Sequence, residues 1–243
     1  MSQITLFCLP HAGASASIYA KWRPFLNASI VLYPVELAGR GKRLNENQYN
    51  SLEEAIDDIY IQIKPLLKSP FALFGHSMGS LLAYELSCKI KQQDGLEPVH
   101  LFVSGRKAPQ CPSSKRLINL LPDDEFTREI KKLRGTPEEI FQNKELFDFF
   151  KPILRADYKM IEEYEPPVRD FILSCGVSVL NGTEDNIAIE ELTAWKQLTT
   201  GEFNITDFEG GHFFIYENVS SIVHQINEVI RVKVSNCTQI YNK

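Results

Sequence analysis

Phe71-Ala72-Leu73-Phe74-Gly75-His76-Ser77-Met78-Gly79-Ser80 decides the fold of this chain. Four apolar residues read as a buried strand, and Leu81 to Leu86 read as the start of a helix. Between them stands Gly-x-Ser-x-Gly, the pattern of a sharp strand-to-helix turn that exposes a serine hydroxyl at its apex. Gly75 and Gly79 leave the room that such a turn needs. A glycine-bounded turn whose serine merely caps the helix is the alternative. The strand before and the helix after favour a nucleophile.

Outward from this turn, apolar runs that suit parallel strands occur at Ile4–Leu9, Ile30–Tyr33, Val99–Val103, Cys175–Leu180 and Phe203–Phe208. Mostly helix-like stretches separate them, which predicts an α/β fold with a parallel central sheet. Leu52 to Leu67 carries apolar residues at helical spacing, with Ser51 and Glu54 set as a capping box. Ser220 to Val232 predicts a last helix, with a frayed end over Ser235 to Lys243. Between about 107 and 167 the strand rhythm stops and the chain turns helical, charged and aromatic. Pro122 and Pro137 suit first-turn positions of short helices there. The expectation is one domain over 1–243, with a helical lid inserted at about 107–167, either a gate or an extra helical layer.

A serine hydroxyl needs a base, and the base needs an acid to orient it. Of five histidines, His100 lies in a strand pattern, His224 on the last helix, and His76 beside Ser77 but pointing elsewhere. His212 follows the last strand and the Gly210-Gly211 pair, so a loop can carry it back over the sheet edge. In the order serine, acid, histidine, the acid falls after Val177 to Leu180, where Glu184 and Asp185 compete. Asp is the commoner acid in this order, which favours Asp185. An oxyanion needs two backbone N–H groups. Met78 supplies one and Ala12, in the small-residue loop after the first strand, the other; His11 and Gly13 beside it are expected to line the substrate.

Composition narrows the partners. A formal charge of −5 without a dense basic stripe argues against nucleic acid. No segment is long and apolar enough for a membrane span, and the chain enters a strand almost at once, so a cytoplasmic protein is expected. Five scattered cysteines (Cys8, Cys88, Cys111, Cys175, Cys237) read as reduced thiols, and none pairs with histidine at zinc spacing, so no metal is expected.

With these residues assembled, the chain resembles the type II thioesterases, the stand-alone editing hydrolases of nonribosomal peptide and polyketide synthesis. The likeness rests on Leu9 to Gly13, Pro34 with Gly39-Arg40-Gly41, Gly75 to Gly79, Leu121 to Phe126, Gly135 to Glu139, Leu154 to Tyr158, Gly182 to Asp185 with Trp195, and Gly210 to Phe214. It departs at Ala14, Ala38 and Glu184, where glycine, proline and aspartate are usual. The resemblance implies an α/β-hydrolase fold, with nucleophile Ser77, acid Asp185 and base His212. It further implies removal of stalled acyl or aminoacyl groups from carrier-protein phosphopantetheine, with no cofactor of the enzyme's own. A monomer is expected, docking through Arg40, Lys42, Arg43, Arg106 and Lys107. A general carboxylesterase or lipase shares the triad, and a catalytically silent binding module shares the fold.

Overall fold

A computed structural model describes residues 3–68, 70–112, 117–132 and 141–240, without the side chains from 234 onward. Six parallel strands form one sheet in the order β2-β1-β3-β4-β5-β6. They are β1 (Ile4–Leu9), β2 (Ile30–Pro34), β3 (Phe71–His76), β4 (His100–Ser104), β5 (Gly176–Gly182) and β6 (Phe203–Phe208). Every strand read from the sequence is present, most extended by one or two residues toward the carboxyl edge. The strands read as apolar runs because neighbouring residues face opposite, equally covered sides. Phe7, Leu9, Leu73, Leu101 and Val103 pack on one face, Leu6, Cys8, Phe74 and Phe102 on the other.

Helices α1 (Leu52–Ile63) and α2 (Met78–Asp94) cover the first face. The predicted helix to Leu67 stops early: Pro65 has no N–H to donate, and the chain tightens into a 3-10 turn over Lys64–Leu66. Ser51 caps α1 by accepting from the Glu54 N–H, but the Glu54 carboxylate bonds Asn50 N–H (2.8 Å) rather than closing a capping box. The second face is covered by Ile222, Val223, Ile226 and Ile230 of the last helix and by Tyr19 and Trp22 of a 3-10 run, Ala16–Phe25. That run is without an amphipathic signal in the sequence. The last helix spans Val219–Ile240, so the expected fraying from Ser235 is not observed to 240; residues 241–243 lie outside those described.

Between β4 and β5 come a 3-10 turn (Ile118–Leu120), α3 (Asp123–Lys132) and α4 (Lys144–Glu162). Pro122 stands just before α3, where its carbonyl accepts the Phe126 N–H (2.9 Å). Pro137 and the segment Gly135 to Glu139 lie outside the described residues. At 19 residues α4 is longer than the short helices expected, and Pro152 lies within it. The insertion holds a small core of its own, Phe126, Ile130 and Leu154. Two further pieces, α5 (Ile189–Thr193) and the 3-10 turn Ala194–Leu198, seat Trp195 under the sheet edge; the last helix is α6.

Candidate active site

The parallel register brings the carboxyl ends of the strands level: Leu9 lies beside Gly75, His76 beside Ser104, and Ser104 beside Leu180. The loops that begin at Pro10, Ser77, Gly105, Thr183 and Glu209 therefore open on one edge. Ser77 has φ +55, the one positive φ outside glycine among the described residues. Its neighbours explain the glycines. A Cβ on Gly75 would stand 1.9 Å from the Gly79 carbonyl oxygen, and one on Gly79 would stand 2.1 Å from that of Leu9. Ser80 bolts the turn from behind, its hydroxyl 2.8 Å from Gly75 O and 2.9 Å from Ser104 O.

His212 reaches this serine with Nε2 3.0 Å from Ser77 Oγ, and its Nδ1 is 2.7 Å from Asp185 Oδ2. With Nδ1–H donating to the carboxylate, Nε2 is left to accept the Ser77 proton. Asp185 is turned inward by its own N–H, which donates to Gly182 O (2.9 Å). Glu184 is exposed, so of the two competing acids only Asp185 meets the imidazole. Phe213 packs edge-on against the His212 ring, centroids 4.9 Å apart. A cavity of about 620 Å³ opens beside Asp185, His212 and Phe213, with Lys132 of α3 on its rim.

Met78 is the first residue of α2, whose N-terminal dipole favours negative charge. Among the described residues neither the Met78 N–H nor the Ala12 N–H has a hydrogen-bond partner. Of the two neighbours expected against substrate, His11 and Gly13, the polar groups are engaged by the protein itself. His11 is 4% exposed; its Nδ1 donates to Ala12 O (2.9 Å) and its Nε2 takes the Tyr216 hydroxyl (2.6 Å). Burial pushes its pKa down to about 4, so it is a neutral brace for the loop. The Gly13 N–H is consumed by Asp157 Oδ2 at 2.7 Å. His76 is buried with Nδ1 on Ser104 Oγ (2.9 Å), turned away from Ser77, and His100 is buried within β4 with Nε2 on Ser178 Oγ (2.8 Å). His224 is exposed on α6.

Sequence reasoning gave Asp157 no role, yet it joins the insertion to the site. From α4 it is fully buried, and its carboxylate takes both Arg40 guanidinium nitrogens (2.6 Å each) as well as the Gly13 N–H. The available signal was an acid sharing a helix face with Ile153, Leu154 and Met160, where only a paired charge is tolerated. Arg40 therefore leaves the expected docking patch, being 3% exposed. Of the other four, Arg43 is held by Glu46 and Asp58, Lys107 by Glu191 and Pro112 O, and Arg106 is half-buried; Lys42 alone is exposed. Acids from α1, α4 and α5 fold onto this basic loop, so the charges of Arg40, Arg43 and Lys107 are partly met within the chain.

A family model described as a thioesterase domain matches residues 4–230. The gramicidin S biosynthesis protein GrsT of Aneurinibacillus migulanus is 36% identical over 232 residues, 95% of this chain and 90% of that protein. ClbQ from the colibactin nonribosomal peptide/polyketide pathway superposes with a TM-score of 0.92 at 36% identity, over 96% of this chain and 98% of that one. The type II thioesterase BorB from the borrelidin biosynthetic cluster gives 0.85 at 33% identity, over 93% and 92%. Fold, edge geometry and relatives converge: the chain belongs to the thioesterase family, thioester hydrolases built on the α/β-hydrolase fold.

Proposed function

We propose that this protein is an editing thioesterase of nonribosomal peptide or polyketide synthesis, clearing stalled acyl groups from carrier-protein phosphopantetheine. The observation that carries the reading is the unbroken hydrogen-bond chain Ser77–His212–Asp185 beside two unpaired N–H groups. In the proposed reaction His212 Nε2 takes the Ser77 proton as Oγ attacks the thioester carbonyl. The Met78 and Ala12 N–H groups receive the oxyanion, and the thiolate leaves with little need of a proton because thiols ionise near pH 8.5. Asp185 supports the imidazolium. The imidazolium gives its proton to the departing thiolate; neutral His212 then deprotonates the water that attacks the acyl-Ser77 ester, and returns that proton to Ser77 Oγ as the acid leaves. Every group named belongs to the chain or the substrate, which fits an enzyme without a cofactor of its own. The lid segment, about 107–167, would belong to this same single domain, acting as a cytoplasmic monomer.

The test is hydrolysis of one acyl group presented on carrier protein, on coenzyme A and as a simple alkyl ester. Remote contacts with a carrier can be spent on orienting the carbonyl, so kcat/KM should fall in that order. Equal rates on all three would hand the protein to the general esterases. Failure of a fluorophosphonate to label Ser77 would leave a silent binding module.

A further inference from the structure

Three arginines lie beneath or beside the insertion, and two of them have acids. Arg40 meets Asp157, and Arg169 meets Glu85 (2.5 Å). Arg106, immediately beyond β4, has none. Among the described residues its guanidinium makes no hydrogen bond or ion pair, and its Nε is sealed from solvent without a partner. Burial pushes its pKa down to about 10, and the ionisable groups that face it are the hydroxyls of Tyr158 and Tyr164. It still carries its charge at neutral pH. The residue is half-buried and its two terminal nitrogens keep access to solvent, so the guanidinium is open to an anion that would also offset the cost of its unpaired Nε.

The setting is a built one. The Arg106 carbonyl accepts Trp195 Nε1–H (2.9 Å) and the Ala108 N–H donates to Glu191 O (3.1 Å), so the backbone on each side is fixed. Arg106 lines a cavity of about 190 Å³ closed by Pro109, Pro112, Ile161 and Tyr164. Lys107, also on its wall, is spent on Glu191 and Pro112 O. Gly105, one residue back, is close to the reaction centre: a Cβ there would stand 3.5 Å from His212 Cε1.

We propose that Arg106 holds a carboxylate, and that the cavity selects acyl groups ending in one: half-thioesters of short dicarboxylic acids. A planar guanidinium with unshared N–H groups matches the two oxygens of a carboxylate. The volume, roughly six waters' worth, suits a carboxylate with a few carbons against walls of mixed polarity. The proposal refines the thioesterase reading and rests on it.

The test compares succinyl-coenzyme A with the same thioester whose terminal carboxylate is methyl-esterified, similar in reach and differing in one charge, on the full chain and on Arg106→Gln. The ratio of their kcat/KM values should fall by about 10- to 100-fold in the variant, the worth of a charge-assisted hydrogen-bond pair. An unchanged ratio overturns the proposal. Binding is read separately: monomethyl succinate should raise the Tm of the wild type and not that of Arg106→Gln, while neutral methyl succinamate raises neither. An equal rise with inorganic phosphate would make the cavity a general anion site and also overturn the assignment. Butyryl-coenzyme A separates the two layers, because its hydrolysis tests the thioesterase reading whatever happens at Arg106.

Discussion

At the carboxyl edge of the sheet, the loops after β3, β4 and β5 start from backbone bonds between neighbouring strands. Ser77 N–H donates to Ser104 O (2.8 Å), Gly105 N–H to Leu180 O (2.9 Å) and Thr183 N–H to Phe208 O (2.9 Å). The insertion above it is fastened by side chains. Asp157 ties α4 to Arg40 and Gly13, Glu85 of α2 takes Tyr164 and Arg169, and Arg155 joins α4 to Leu121 O and Asp123 (2.8 Å each). Strand ladders fix positions whatever the side chains are, whereas a side-chain tie is lost with one substitution. The edge should therefore tolerate changes that leave its backbone alone and lose only chemistry, and the insertion should lose its placement.

The largest effect expected tests the edge. Ser77→Ala should cost on the order of 10⁶ in kcat, with His212→Ala nearly as severe and the double variant little worse than either. Tm should barely move, because the turn is held by Ser80 and the strand register rather than by the Ser77 side chain. A Ser77→Ala protein that unfolds, or one that keeps its rate, would break the comparison on this side.

Asp185→Asn comes next, at about 10⁴ in turnover, because an amide favours the wrong imidazole tautomer. Glu184→Gln should change little, its side chain being exposed. Steady-state rates on one thioester settle the pair, and reversed magnitudes would return the acid role to Glu184.

The insertion gives the third. Asp157→Ala leaves the Arg40 guanidinium buried without its acid, so unfolding free energy should drop by about 3–5 kcal/mol. Removing the acid also frees the Gly13 N–H beside Ala12, so kcat should fall at temperatures where the variant is still folded. Arg155→Ala, cut from a partly exposed network with Asp123, should cost about 1 kcal/mol or less. Denaturant melts read the stabilities, and amide exchange reads where α4 loosens. Equal costs for the two substitutions would mean that the insertion is held by its general packing rather than by the buried tie.

The same contrast explains what the sequence made legible. The strands and the glycine-framed serine are local patterns, recoverable from period and composition, and the register that aligns Leu9, His76 and Ser104 follows once the strands are parallel. Choosing between Glu184 and Asp185 needed the turn at Gly182, which aims one carboxylate inward and the other at solvent. Arg40 and Asp157 stand 117 residues apart, so nothing in either neighbourhood announces the other. The basic loop accordingly read as a docking surface when it is half of an internal clamp. Ala16–Phe25 was missed for a different reason, since a 3-10 run has no 3.6-residue stripe to show.

Acid supplies the smallest and last test, because all five histidines lie outside residues 107–167. Burial holds His100 at a pKa of about 3 in the folded protein against 6.5 for the free side chain, and His11 at about 4. A histidine with a depressed folded pKa binds fewer protons folded than unfolded, so its stabilising contribution is complete above pH 6.5 and is lost as pH falls from there toward the folded value. Between pH 6 and 4.5 each such group should add a slope of up to about 1.4 kcal/mol per pH unit to the unfolding free energy. His100→Gln, whose amide can still meet Ser178 Oγ across the strands, should remove one such slope without touching the site. Urea melts across that range measure it, and amide exchange at pH 5 should show the sheet losing more protection than α4, which has no histidine to charge. A slope unchanged by His100→Gln, or an insertion that loosens first in acid, would place the acid-sensitive groups outside the sheet and dissolve the distinction between the two regions.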